Sequence, residues 1–148
     1  MPGYTGIAIN RFMEVYNIIK GKKEIEKSLR ARARSAPSLV ASHGAAAALA
    51  FLLSKSSKEG FEKLVSGEEL EKVGKEEAGY TLYLYAIYRF LHDDLEKIDD
   101  CSNLECLAKE IARLDEEGQW RVLEEPLLDF MVEFKKVAEA LLEKEEGE

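Results

Sequence analysis

Five cations stand in the order that an extended anion demands. Lys20, Lys23, Lys27, Arg30 and Arg34 follow steps of three, four, three and four, so on one helix they form a stripe about 80° wide. Residues 20 to 34 carry seven cations and only Glu24 and Glu26 as acids, a net +5. A helix that needs only solubility mixes Glu with Lys at i,i+4. A stripe without interleaved acids is suited to a phosphate backbone, which such cations would contact without reading sequence. Ile18, Ile25, Leu29 and Ala36 lie on roughly the opposite side. Arg32 lies nearer that apolar side and is expected to pack or meet a partner.

Other residues capable of chemistry are poorly arranged for it. His43 lies in an apolar stretch and is expected to be a packed, hydrogen-bonded side chain. His92, Asp93 and Asp94 are consecutive, so on a helix they point around the axis, and a solvated helix end is the expectation. Cys101 and Cys106 are five apart, neither a CxxC pair nor half of a four-ligand set. Reduced thiols in a cytoplasmic setting are expected. The chain shows no glycine loop for nucleotides, no nucleophile with a base at meaningful spacing and no distinct carboxylate pair. No catalytic residue, metal site or cofactor is therefore expected.

The elements that must position these residues read as helices throughout. The chain has 148 residues and a net charge of −8, which suits one domain with a core of its own. The fold class expected is all-α, a compact single-domain bundle of five or six helices over residues 1–148, with 143–148 a frayed acidic tail. Residues 7 to 20 place Ala8, Phe12, Val15, Tyr16 and Ile19 on one face, and a bend is expected near Gly21. Pro37 and Ser38 are expected to start a helix reaching Ser54 to Ser57, apolar on nearly every side and buried at the centre over 38–54. Ser57 would cap a helix over 58–65, and Gly67, Gly74 and Gly79 would punctuate an acidic, lysine-rich connector that is partly helical and mobile.

The stretch YTLYLYAIYRFL, residues 80 to 91, fits either a strand or a helix. With no second strand to pair with it, helix is chosen, its tyrosines serving mainly as core. Ser102 and Glu105 suggest a capping box opening a helix to about Leu114. Residues 117 to 144 form one long amphipathic segment that Pro126 should kink or restart. No apolar run approaches the length needed to span a bilayer, and the N-terminus shows no secretion signal.

Charge is unevenly distributed along the chain. Residues 1 to 58 carry a net +7 and residues 93 to 148 a net −12. A basic and an acidic region can dock head to tail, so self-association or a charged protein partner is also expected.

Two blocks carry a resemblance to a known family. PSLVASHGAAAALAFLLSK supplies Pro37, Gly44, Leu49-Ala50-Phe51 and Ser54-Lys55. QWRVLEEPLLDFMVEFKKVAEALL supplies Trp120-Arg121, Phe134-Lys135-Lys136 and Ala138-Glu139-Ala140. Together they resemble the small all-helical subunit of the Cmr-type (type III-B) CRISPR RNA-guided effector complex. The chain departs from that pattern at His43-Gly44-Ala45, where Asn-Gly-Leu is expected, and at Pro126. The resemblance implies a non-catalytic structural role. Copies of the subunit would stack along the inner face of the effector, beside its backbone and large subunits, and contact guide or target RNA. The basic stripe would be the RNA-contacting surface. The alternative is a protein-only helical adaptor whose cations meet an acidic protein.

Overall fold

The computed structural model describes residues 3–70 and 72–145. Among them it contains seven α-helices and no strand: α1 (Thr5–Ile19), α2 (Lys23–His43), α3 (Ala45–Lys55), α4 (Lys58–Ser66), α5 (Lys75–Arg89), α6 (Leu104–Glu116) and α7 (Trp120–Leu141). A π-helical turn, Phe90–Asp94, continues α5. The class is all-α as expected, with more helices than the five or six anticipated. The acidic tail expected at 143–148 lies partly outside the described residues, which end at 145.

The helix at the centre is α5. Ala78, Gly79 and every residue from Thr81 to Tyr88 are buried. A helix enclosed on all sides has no apolar stripe, so its periodicity fits two readings equally well. It packs most extensively on α2 and also touches α1, α3 and α4, while α7 closes over α1 and α2. Tyr83 and Phe12 both meet Phe134 edge-on at 5.3 Å between centroids. Phe90 stacks on Phe130 at 4.2 Å. This aromatic row joins α1, α5 with its π turn, and α7.

Gly79 is therefore not part of a mobile connector. A Cβ at this position would stand 2.0 Å from Ser28 Oγ and 2.7 Å from the Ser28 backbone carbon, so α2 and α5 touch backbone to backbone. The Ser28 hydroxyl adds a hydrogen bond of 3.1 Å to the Glu76 carbonyl.

The helix expected to start at Pro37 is instead divided between α2 and α3. Pro37 lies inside α2, where it cannot donate to the carbonyl four residues back. Packing of Leu29, Ala33, Ala36 and Val40 holds the helix through this defect. The break falls at Gly44, whose φ of +87° is left-handed backbone that favours glycine. The first turn of α3 is capped from α7, with Ala45 N donating to Glu124 Oε2 at 3.2 Å. Leu49 is buried, but Phe51 is 38% exposed. His43, Ala47 and Ala50 face outward, so the expectation of burial over 38–54 holds for only one side. His43 is consequently an exposed helix end and not a packed residue.

The remaining elements follow local rules. Ser57 caps α4 by accepting from Gly60 N, and Ser57 N in turn donates to the buried Thr81 hydroxyl at 2.8 Å. The cap of α6 is Asn103, which accepts from Cys106 N, one residue later than the expected Ser102. α7 runs through Pro126 as a single helix, so the proline does not restart it. Cys101 and Cys106 form a disulfide, against the expectation of reduced thiols. The turn leading into α6 brings their Cα atoms to 5.4 Å, a separation that a disulfide spans readily. No helix of the described residues is long and apolar enough to cross a membrane.

Gly79→Ala should destabilise the fold by more than the roughly 1–3 kcal/mol usual for overpacking, because backbone has to yield. Thermal unfolding of Gly79→Ala and of the double variant with Ser28→Gly checks the cause. The second change should fail to restore stability, since the clash with the Ser28 backbone carbon persists.

Candidate nucleic-acid interface

The five predicted cations do not form one surface. Lys20 follows α1, the chain turns at Gly21, and Lys23 opens α2, so Lys20 leaves the helical register of the rest. Its ammonium stands 6.0 Å from the Tyr16 ring centroid. Lys20, Lys22 and Lys23 are exposed at this corner, and Lys27 follows one turn later, its ammonium 3.3 Å from Glu24.

Arg30 has a different task. It is only 5% exposed, and its Nη1 donates to the Glu139 carbonyl at 2.7 Å. That carbonyl belongs to the last turn of α7, where four carbonyls lack partners within the helix and carry the negative end of its dipole. Arg34 Nε lies 3.9 Å from the Glu139 carboxylate. One turn before Arg30, the buried Glu26 accepts from Gly21 N at 2.8 Å and from Glu143 N at 3.0 Å. Glu26, Arg30 and Arg34 thus form an i,i+4,i+8 row that ties α2 to the end of α7 and to the α1–α2 corner.

Sequence reasoning could not see this division. Along α2 the stripe has no interleaved acid, but Glu139 arrives from α7, over a hundred residues away. By composition Glu26 is one of only two acids among seven cations. The available signal was its spacing, in register with Arg30 and Arg34 and not with the solvated lysines. Arg32, expected to pack, lies 4.3 Å over the Tyr80 ring and 3.7 Å from Glu76.

The triplet His92-Asp93-Asp94 is more tightly engaged than a solvated helix end. Arg11 Nε donates to Asp94 at 2.8 Å, and Arg89 pairs with Asp93 and with Glu14. His92 contacts Asp93 through Nδ1, and its Nε2 stands 3.0 Å from Asp100. The π turn makes this possible by burying Phe90 and Leu91 while leaving the carboxylates beside Arg11 of α1 and Arg89 of α5. For the Asp93 carboxyl, burial is the largest influence and raises its pKa. The hydrogen bonds from His92 and Arg89, with the charges of Arg89 and Arg11, together outweigh it, so the pKa lies below the ordinary carboxylate value. Among the described residues no group of histidine, cysteine or carboxylate side chains is arranged to hold a metal ion.

With this geometry in view, the family model described as CRISPR-associated protein (Cas_Cmr5) matches residues 7–141. The chain belongs to that family. A chain from a structure described as the type III-B Cmr-beta complex bound to non-cognate target RNA has the same fold, with a TM-score of 0.76. The two are 18% identical, and the match covers 98% of this chain and 99% of the other. No curated protein matches the sequence. The family match includes every residue named for the resemblance, from Pro37 to Ala140. In the structure Gly44 makes the α2–α3 break, Phe51 and Lys55 lie on the outer side of α3, and Trp120 opens α7.

Two outcomes separate clamp from corner in this Cas_Cmr5 protein. Arg30→Met should cost about 1.5–3 kcal/mol in urea unfolding, the range for a hydrogen bond to a charged group, whereas Lys27→Met should change stability by less than about 0.5 kcal/mol. For Asp93 the depressed folded pKa means its contribution is present above the ordinary carboxylate range, about pH 4, and is lost as pH falls through the folded value. Asp93→Asn should therefore make stability less dependent on pH below about 4 in a series of thermal melts at different pH.

Proposed function

We infer that this chain is a non-catalytic structural small subunit of a type III-B CRISPR RNA-guided effector in the cytoplasm. Copies of it stack along the inner face of the complex, beside the backbone and large subunits. Its basic corner meets the phosphates of guide or target RNA. One observation supports this reading above others: the fold is shared, end to end, with a chain of an RNA-bound Cmr-beta complex. Membership of the Cas_Cmr5 family supports the same assignment.

The RNA contact is carried by Lys20, Lys23 and Lys27, with Arg34 at the edge. Arg30 is buried against α7 and contributes by holding α2, which bears Lys23, Lys27 and Arg34. The surface has the qualities of a positioning contact. Lys20 and Lys23 are exposed point charges with the half-buried Lys27 beside them, they sit on a corner that a strand can follow, and they carry no base-reading geometry. A single copy with a net charge of −8 would bind RNA weakly. Aligned copies would gain from avidity without new contacts.

Four cations contact at most four phosphates. For single-stranded RNA the slope of log affinity against log salt, per copy, should not exceed about 0.7 × 4, or roughly −2.8. Reversing Lys20, Lys23 and Lys27 to Glu in a reconstituted effector should flatten the slope and reduce target-RNA retention without sequence preference. Filter binding across a salt series reads both effects. If the triple variant assembles and holds RNA with unchanged salt dependence, the cations serve a protein neighbour and the adaptor reading replaces this one. If it fails to assemble, the corner is a subunit contact, which also contradicts the RNA assignment.

A further inference from the structure

Cys101 and Cys106 flank Asn103, the residue that caps α6, so their bond closes a short ring around the start of that helix. The two sulfurs differ in access. Cys101 is 2% exposed. Cys106 is half-buried and lines an open surface cleft with Asp99, Asp100, Asn103 and Glu105.

The ring is also held by bonds that do not involve sulfur–sulfur linkage. Cys101 N donates to the Tyr88 hydroxyl at 2.9 Å, and Cys106 N donates to Asn103 Oδ1 at 2.8 Å. Just upstream, Asp99 N donates to the Glu110 carboxylate at 2.7 Å and Arg113 Nη2 to the Lys97 carbonyl at 2.9 Å. These contacts would keep the two sulfurs close when the bond is open. Ring closure then requires little further ordering.

We propose that Cys101 and Cys106 form a reversible dithiol–disulfide site that exchanges with external thiols and disulfides through Cys106. In the closing direction the Cys106 thiolate attacks one sulfur of an external disulfide. That bond breaks, and one external thiolate leaves and takes a proton. Cys101 loses its proton to water and attacks the Cys106 sulfur of the mixed disulfide, releasing the second external thiol. Two cysteine thiols are oxidised and one external disulfide is reduced to two thiols. Opening is the reverse, with an external thiolate attacking Cys106 Sγ and Cys101 leaving as the thiolate. Access directs the exchange to Cys106, because the attacked sulfur has to be reached from solvent. Opening releases the constraint on the first turn of α6 and the segment before it, while Arg113 and Glu110 keep that segment docked.

The test uses the full chain and the glutathione couple as its probe. Cells are lysed into a thiol-alkylating reagent, and the intact mass is read before and after dithiothreitol. After incubation with oxidised glutathione the protein should take up no alkyl label, and after dithiothreitol it should take up two. Hydrogen exchange over residues 101–106 should be about tenfold faster or more in the reduced form, with α5 unchanged. Cys101→Ser should form a mixed disulfide with glutathione much faster than Cys106→Ser does. Two labels retained after oxidised glutathione, equal exchange in both redox states, or faster reaction in Cys106→Ser would each overturn the proposal. These readouts do not involve RNA or assembly, so their failure leaves the functional reading untouched.

Discussion

The burial of α5 on every side from Thr81 to Tyr88 is the constraint on which the fold depends. Ten of its residues are buried, so beyond its exposed first turn the helix is enclosed by α1, α2, α3 and α4. Gly79 determines how close α2 can come, and the answer is backbone contact with Ser28. That approach sets the position of α2, and α2 carries Lys23 and Lys27 of the basic corner and the row that ties it to α7. The aromatic row of Phe12, Tyr83, Phe90, Phe130 and Phe134 then fixes α1 and α7 on the other side.

From this arrangement comes a division of labour among charges that look alike in sequence. Arg30 and Glu26 act inward, pairing with backbone groups at the end of α7 and at the α1–α2 turn. Their burial costs desolvation, which their charge-assisted hydrogen bonds offset. Lys20 and Lys23 face outward, where a flexible, strongly hydrated ammonium costs little to hold, and Lys27 is half-buried with its ammonium 3.3 Å from Glu24. Arg32 belongs to neither set, since it is spread over Tyr80 with Glu76 at its edge.

Much of the fold was legible in the sequence, for reasons that also explain what was not. Residues 7–20, 58–65 and 117–144 alternate apolar and polar side chains with a clear helical period because each helix has one face on the core. Residues 80–91 lack that contrast because all but Tyr80 and Arg89 are buried. Pro37 misled, since a proline that opens a helix and one tolerated inside it leave the same mark, and only the packing of Leu29, Ala33, Ala36 and Val40 distinguishes them. The alanines of α3 misled too, as small apolar residues are compatible with burial or exposure, and Ala47 and Ala50 are exposed. At the site, the stripe was visible as a spacing along one helix. Its partners were not, because Glu139 and Glu143 come from the far end of the chain.

The most direct test of the account is an electron cryomicroscopy map of the assembled effector with target RNA, at a resolution that shows lysine side chains. The account predicts that Lys20, Lys23 and Lys27 of each copy lie within ion-pair reach of consecutive phosphates, with Arg30 buried against α7 and away from RNA. A map in which this corner faces solvent or an acidic protein neighbour, with RNA on another face, would contradict it.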